Sequence, residues 1–115
     1  MNLSALLAAM IAVESGGNDA AIGDHGKAHG ALQIHACVIQ DVNCYTGSRY
    51  TLRDAHDRDK AIRIASAYLS LWANERRLGH PPTAFELAAT FHAGPGGTKK
   101  PHALRYWRKV KQHIK

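Results

Sequence analysis

No apolar run in this sequence approaches the ~18–20 residues that a membrane-crossing helix needs, so no stretch reads as a transmembrane segment. Acid is also scarce. Nine Asp and Glu stand against 15 Lys and Arg, with 8 His besides. That surplus suits a polyanionic partner, whether nucleic acid, an anionic lipid surface or a bacterial cell wall, and charge alone does not choose among them. Cysteine is rarer still. Cys37 and Cys44 are the only two, seven apart, and two cysteines fix no redox compartment. They read either as one disulfide closing a small loop or as two reduced core thiols. Internal repeats are missing, and no linker is long enough to separate a pair of domains. What remains is one domain over residues 1–115, whose 45% hydrophobic content is enough for a modest core and too much for disorder.

The apolar stretch Leu3 to Val13 resembles the core of a signal peptide in composition. It lacks a basic segment ahead of it and runs directly into Glu14, so it is expected to belong to the fold. Leu3, Leu6, Leu7 and Met10 fall at helical spacing, which predicts a helix from Leu3 to Ser15 stopped by Gly16-Gly17. Residues Gly23 to Gly30 suit turns or a small β-hairpin. A short helix is expected over His35 to Asn43, with Val38 and Ile39 inward, and a polar loop over Tyr45 to Arg53. Asp57 to Leu78 carries Ile62, Ala65, Leu69 and Trp72 on one stripe and reads as the longest helix, capped by Asp54 or Asp57. Pro81-Pro82 break the chain, and Thr83 with Glu86 forms a capping-box pattern that opens a helix to about His92. Gly94-Pro95-Gly96-Gly97 stops it. A last amphipathic helix, His102 to Ile114, is expected to turn the repeat Leu104, Trp107, Val110/Lys111 and Ile114 inward and a basic face outward. The predicted class is mainly α, about five helices with a small β-hairpin or turn region near residues 20–32.

Two acids stand out in this frame. At roughly 100° per residue, Glu14 lies four steps from Met10, seven from Leu7 and eleven from Leu3, so it shares the apolar face of its own helix. A carboxyl held against apolar surface is costly to ionise, and a proton-bearing Glu is what a general acid requires. A Glu in the last helical turn also opposes the helix dipole, so the position asks for another justification. Asp24 sits in Ile22-Gly23-Asp24-His25-Gly26, a polar turn expected to keep it solvated and ionised. A protonated Glu and an ionised Asp are the working pair of glycoside hydrolysis, one protonating the leaving oxygen and the other acting as nucleophile or activating water. The plainer reading of Glu14 is a residue that turns outward into water, and of Asp24 a turn residue bonded to its own backbone.

Other chemistries fit less well. His25, His29, His35 and Cys37 do not follow a zinc-site spacing, and no metal or cofactor is expected. Gly94-Pro95-Gly96-Gly97-Thr98-Lys99 is not a phosphate loop, because the glycine-to-lysine spacing is wrong and no strand precedes it. A basic nucleic-acid-binding module would use the charged last helix but would leave Glu14, Asp24 and Gly30 to Gln33 unexplained. A wall-binding or inhibitor-like domain that has lost catalysis would not need both acids.

Three blocks read together carry a resemblance. They are Glu14-Ser15-Gly16-Gly17-Asn18; Ile22-Gly23-Asp24 with Gly30-Ala31-Leu32-Gln33-Ile34; and Phe91-His92-Ala93-Gly94-Pro95-Gly96-Gly97 followed by Tyr106-Trp107-Arg108-Lys109-Val110. Over about residues 11 to 110 the chain resembles the lysozyme superfamily, in particular invertebrate-type (destabilase-like) lysozymes, soluble lytic transglycosylases and goose-type lysozymes. The resemblance implies Glu14 as the catalytic acid and Asp24 as a second carboxylate. It implies Ser15, Gln33, His35, Phe91, His92 and Gly94 as substrate-binding residues, although relatives often carry Tyr-Asn or His-Asn where this chain has Phe91-His92. It also implies bacterial peptidoglycan as the partner of a monomer acting on the wall, secreted, periplasmic or released by another protein, with no nucleic acid expected. The expected reaction is muramidase hydrolysis. The alternative is lytic transglycosylation, which can run on Glu14 alone and leaves 1,6-anhydromuramic ends.

Overall fold

The computed structural model describes residues 2–114. Their order is helix α1 (Leu3–Ser15), strand β1 (Ile22–Gly23), strand β2 (Ala28–His29), α2 (Ala36–Thr46), α3 (Arg58–Trp72), the one-turn α4 (Glu75–Leu78), α5 (Ala84–Ala93) and α6 (Pro101–Lys111). Single 3-10 turns lie at Asp24–Gly26, Leu52–His56 and Gly97–Lys99. The class is mainly α with one tiny antiparallel sheet, as the sequence predicts. No helix among the described residues is long and apolar enough to cross a membrane.

The chain forms two compact units, Met1–Val13 with Leu69–Lys115, and Glu14–Tyr68. In the first, α1 buries Leu6, Leu7, Met10 and Ile11, each worth about 1.5–3 kcal/mol of apolar burial. Helices α5 and α6 pack together with the 97–99 turn, and Ala88, Ala89, Phe91, Ala103, Tyr106 and Val110 are buried there. Small residues at Ala88, Ala89 and Ala103 let these backbones approach closely. Gly97 serves the same end, since a Cβ there would come within 2.5 Å of Ala89 O on α5.

In the second unit the buried side chains include Leu32, Ile34, Val38, Val42, Ala61, Ile64 and Tyr68. Burial, then Cys37 and Asp41 on α2, pushes the Tyr68 phenol up to about 12, so it stays neutral. Strands β1 and β2 pair Ile22 with His29 and Gly23 with Ala28. The chain then reverses through Gly30–Gln33, and His29 and Ile34 exchange backbone bonds of 3.0 and 2.8 Å.

Several expected boundaries move. Helix α2 runs on to Thr46, closed by Gly47 in the left-handed region, and Leu52–His56 is a 3-10 turn, so the expected polar loop shrinks at both ends. The long helix expected from Asp57 breaks after Trp72. Asn74 caps the new turn, its side chain accepting from Arg77 N–H at 3.0 Å, while Arg77 Nε–H donates to Leu71 O at 2.7 Å and the guanidinium lies 4.4 Å over the Trp72 ring. The start of α3 belongs to Asp57, which accepts from Lys60 N–H at 3.0 Å. Asp54 instead closes a capping box with Thr51. Leu104 is 43% exposed, because the inward stripe of α6 is Ala103, Tyr106 and Val110: Val110 is inward as expected, but Ala103 and Tyr106 take the places expected of Leu104 and Trp107.

The cysteines are free thiols, as the second reading has them, but both are exposed, which corrects the disulfide reading and the core placement of the other. Each lies on α2, and seven residues of helix separate their Cα atoms by about 10 Å, beyond the roughly 7 Å limit for a disulfide.

Candidate active site

Glu14 is the penultimate residue of α1 and is half-buried. The helix ends where it does for a local reason. Gly16 and Gly17 take φ values of 65° and 89°, which a side chain would resist. Ser15 then pins the helix end. Its hydroxyl donates to Ala31 O at 2.8 Å and accepts from Gly17 N–H at 3.2 Å and Asn18 N–H at 3.1 Å. Beyond it, Arg58 donates through Nε to Asp19 Oδ1 at 2.6 Å and through Nη2 to Gly17 O at 2.7 Å. The residue after the candidate acid is therefore bound on several sides, and Ser15 spends its hydroxyl on backbone.

Asp24 sits at the head of a turn in which Asp24, His25 and Gly26 have φ values of 49°, 56° and 87°. Three consecutive left-handed residues, two of them not glycine, are uncommon and cost energy. The carboxylate is 55% exposed and lies 3.4 Å from His35 Nε2, whose own side chain is 40% exposed. His35 is also the residue on which α2 begins. The structure thus brings Asp24 and His35 together on one face of the second unit.

Gln33 holds the base of the hairpin. Its backbone is left-handed at φ 51°, and its Nε2 donates to Gly30 O at 2.9 Å and Ala21 O at 3.3 Å. A Cβ on Gly23 would run into Gln33 Oε1, and one on Gly30 into Ala55 O. The Gly-x-x-Gln pattern thus has a steric basis: glycine where backbones meet, and an amide long enough to brace the turn.

In the first unit Phe91 is buried, 7% exposed, so its ring serves the core more than an outside ligand. Its neighbour His92 is open to solvent on one side and lies flat on Tyr106, with ring centroids 4.1 Å apart and planes 8° from parallel. His102 approaches His92 edge-on at 5.2 Å. Desolvation, then the charges of His102 and Lys109, holds the His92 imidazole below its ordinary value. Gly94, at φ 82°, ends α5 with its N–H donating to Thr90 O at 2.8 Å.

A family model for the transglycosylase SLT domain matches residues 1–114, essentially the whole chain. The chain belongs to that family. No curated protein is matched. As an SLT domain it stands among lysozyme-like enzymes that act on peptidoglycan. Two residues of this SLT domain carry contacts that the sequence alone did not single out for the site. His56 and Arg58 bind residues 37 to 41 positions earlier in the chain, and no local spacing signals a bond across that distance.

Proposed function

We propose that this SLT domain cleaves the β-1,4 bond between N-acetylmuramic acid and N-acetylglucosamine in peptidoglycan, with Glu14 as the proton donor. The observation that carries the reading is the setting of Glu14. Glu14 is a half-buried residue in the last turn of an apolar helix, followed by a serine whose hydroxyl fixes the turn beyond it. One family model spans the chain, which supports treating residues 1–115 as one catalytic domain working at the cell wall.

The route best supported by membership of this family is lytic transglycosylation. Glu14 gives its proton to the glycosidic oxygen as the C1–O bond breaks. Its carboxylate then takes the proton of the muramic acid's own 6-hydroxyl, and that oxygen bonds to C1. A 1,6-anhydro end forms, Glu14 regains its proton and no water is consumed. A second reading is hydrolysis. It is favoured by Asp24, an exposed carboxylate beside His35 that can serve as nucleophile or activate water.

The test is product analysis with two variants. Glu14→Gln is expected to abolish release of wall fragments while circular dichroism and melting stay close to the parent's; substantial remaining activity would overturn the reading. Asp24→Asn separates the routes. Near-normal turnover with anhydro ends in the mass spectrum supports transglycosylation. A loss of at least about 100-fold, together with reducing ends from the parent, supports hydrolysis, since one positioned acid or base contributes about 10²–10⁴.

A further inference from the structure

Two histidines in the second unit meet in an arrangement that counts its own protons. His29 Nδ1 lies 3.0 Å from His56 Nε2, with the rings edge to face at 5.2 Å. The outer nitrogens are also engaged. His29 Nε2 is 2.9 Å from Gly26 O, and His56 Nδ1 is 2.8 Å from Asp19 O. A backbone carbonyl only accepts, so both outer nitrogens must carry hydrogen. Two neutral rings with those tautomers would then face each other lone pair to lone pair. The central bond therefore needs a third proton, which belongs to the pair and not to either ring.

We propose that His29 and His56 are positioning residues that clasp the Asp24 turn, and that the clasp closes only while the pair holds this extra proton. One end of the clasp grips Gly26, the last residue of the strained left-handed turn that begins at Asp24. The other end grips Asp19, in the segment that follows α1. Loss of the third proton leaves three hydrogen-bonding contacts with two hydrogens, so one contact must open. Opening at Gly26 lets Asp24 and His25 relax from φ values that cost energy, which makes that the contact expected to yield. The clasp rests on the geometry of the four nitrogens. Only its consequence for turnover rests on the role proposed for Asp24.

The charged neighbours of the pair are largely matched among themselves. On the packed Leu52–His56 turn, Asp54 is paired with Lys60 at 3.3 Å and Arg53 is exposed. Asp19 is paired with Arg58 at 2.6 Å. On the 24–26 turn and just beyond it, His25 and Lys27 are exposed, and Asp24 is held by His35. That last pair and His25 are the other ionisable groups on the turn among those described, so the experiment must separate them.

The test is solution NMR on the intact chain, following ring nitrogens and backbone amides from about pH 5 to 8, where histidines change charge. His29 and His56 are expected to move together with one common midpoint, and the amides of Asp24 to Lys27 to follow that midpoint. In His35→Asn the response of those amides is expected to persist. In His56→Gln, whose side chain can occupy the site without titrating, the part of the response that follows the midpoint of the pair is expected to vanish, leaving what the exposed His25 contributes. Separate midpoints for the two rings, turn amides that follow neither ring, or a response lost in His35→Asn would each overturn the proposal. The parent and His35→Asn decide it even if His56→Gln does not fold. None of these readouts uses activity, so a failure of the Glu14 mechanism and a failure of the clasp are told apart.

Discussion

Protonation of His92 puts a charge on a ring that lies flat against Tyr106, with His102 and Lys109 close by. The folded chain binds that proton less readily than the unfolded chain does. Stability should therefore fall as pH drops through the ordinary histidine value, about 6.5, and the loss should be complete below the lowered folded value. Melting curves of the parent and His92→Asn are expected to converge or cross as the pH is lowered, because the variant escapes that loss; a gap independent of pH would contradict the account. The individual residues were legible to different degrees. Glu14 could be placed from the phase of its helix, since Leu7 and Met10 sit on the same face and both are buried. Ser15 and Gln33 could be picked out as important but not understood. Their polar groups bind backbone up to sixteen residues away in the structure, and only the fold reveals those partners.

Among the elements, α5 is the one whose sequence says most about its own start. Thr83 accepts from Glu86 N–H at 3.1 Å, and the Glu86 carboxylate accepts from Thr83 N–H at 2.9 Å. Thr83→Ala should cost about 1 kcal/mol in chemical denaturation, the usual worth of an N-cap. The bond from the Thr83 backbone, with help from His80, holds the Glu86 carboxyl below the ordinary carboxylate value of 4.5. Its contribution is therefore present above that value and lost as pH falls through the lowered one, so the stability gap between the parent and Glu86→Gln should close in that acid range. A capping box spans four residues and can be read from them. The break between α3 and α4 could not be read so. Its cause is a side-chain set, Asn74 with Arg77 and Trp72, that competes with helical continuation in a stretch of otherwise good helix formers. The same limit applies to α6, where the apolar pattern put Leu104 inside and packing against α5 selected Ala103 and Tyr106.

Across the whole molecule the charge is unevenly shared. Glu14–Tyr68 holds seven acids against six Lys and Arg, while the other unit holds two acids against nine. From Leu87 to the end there is no acid at all, and Lys99, Lys100, Arg105, Arg108, Lys109 and Lys111 are exposed. The net charge of +6 is thus a property of one unit, a distinction that total composition hides. If that unit supplies the attraction to an anionic wall, Arg105→Glu with Arg108→Glu should weaken pelleting with purified wall several-fold at low salt and flatten its salt dependence. An equal loss of binding at all salt concentrations would point instead to a disturbed fold. The same scale governs the fate of the two thiols. Helix α2 keeps Cys37 and Cys44 too far apart to close on each other while both remain exposed. A disulfide between two of these cysteines that leaves α2 wound can therefore only join one molecule to another. With two such points per chain, mild oxidant should give a ladder of covalent multimers on a non-reducing gel, collapsed by reductant and cut back to dimers in either single Cys→Ser variant.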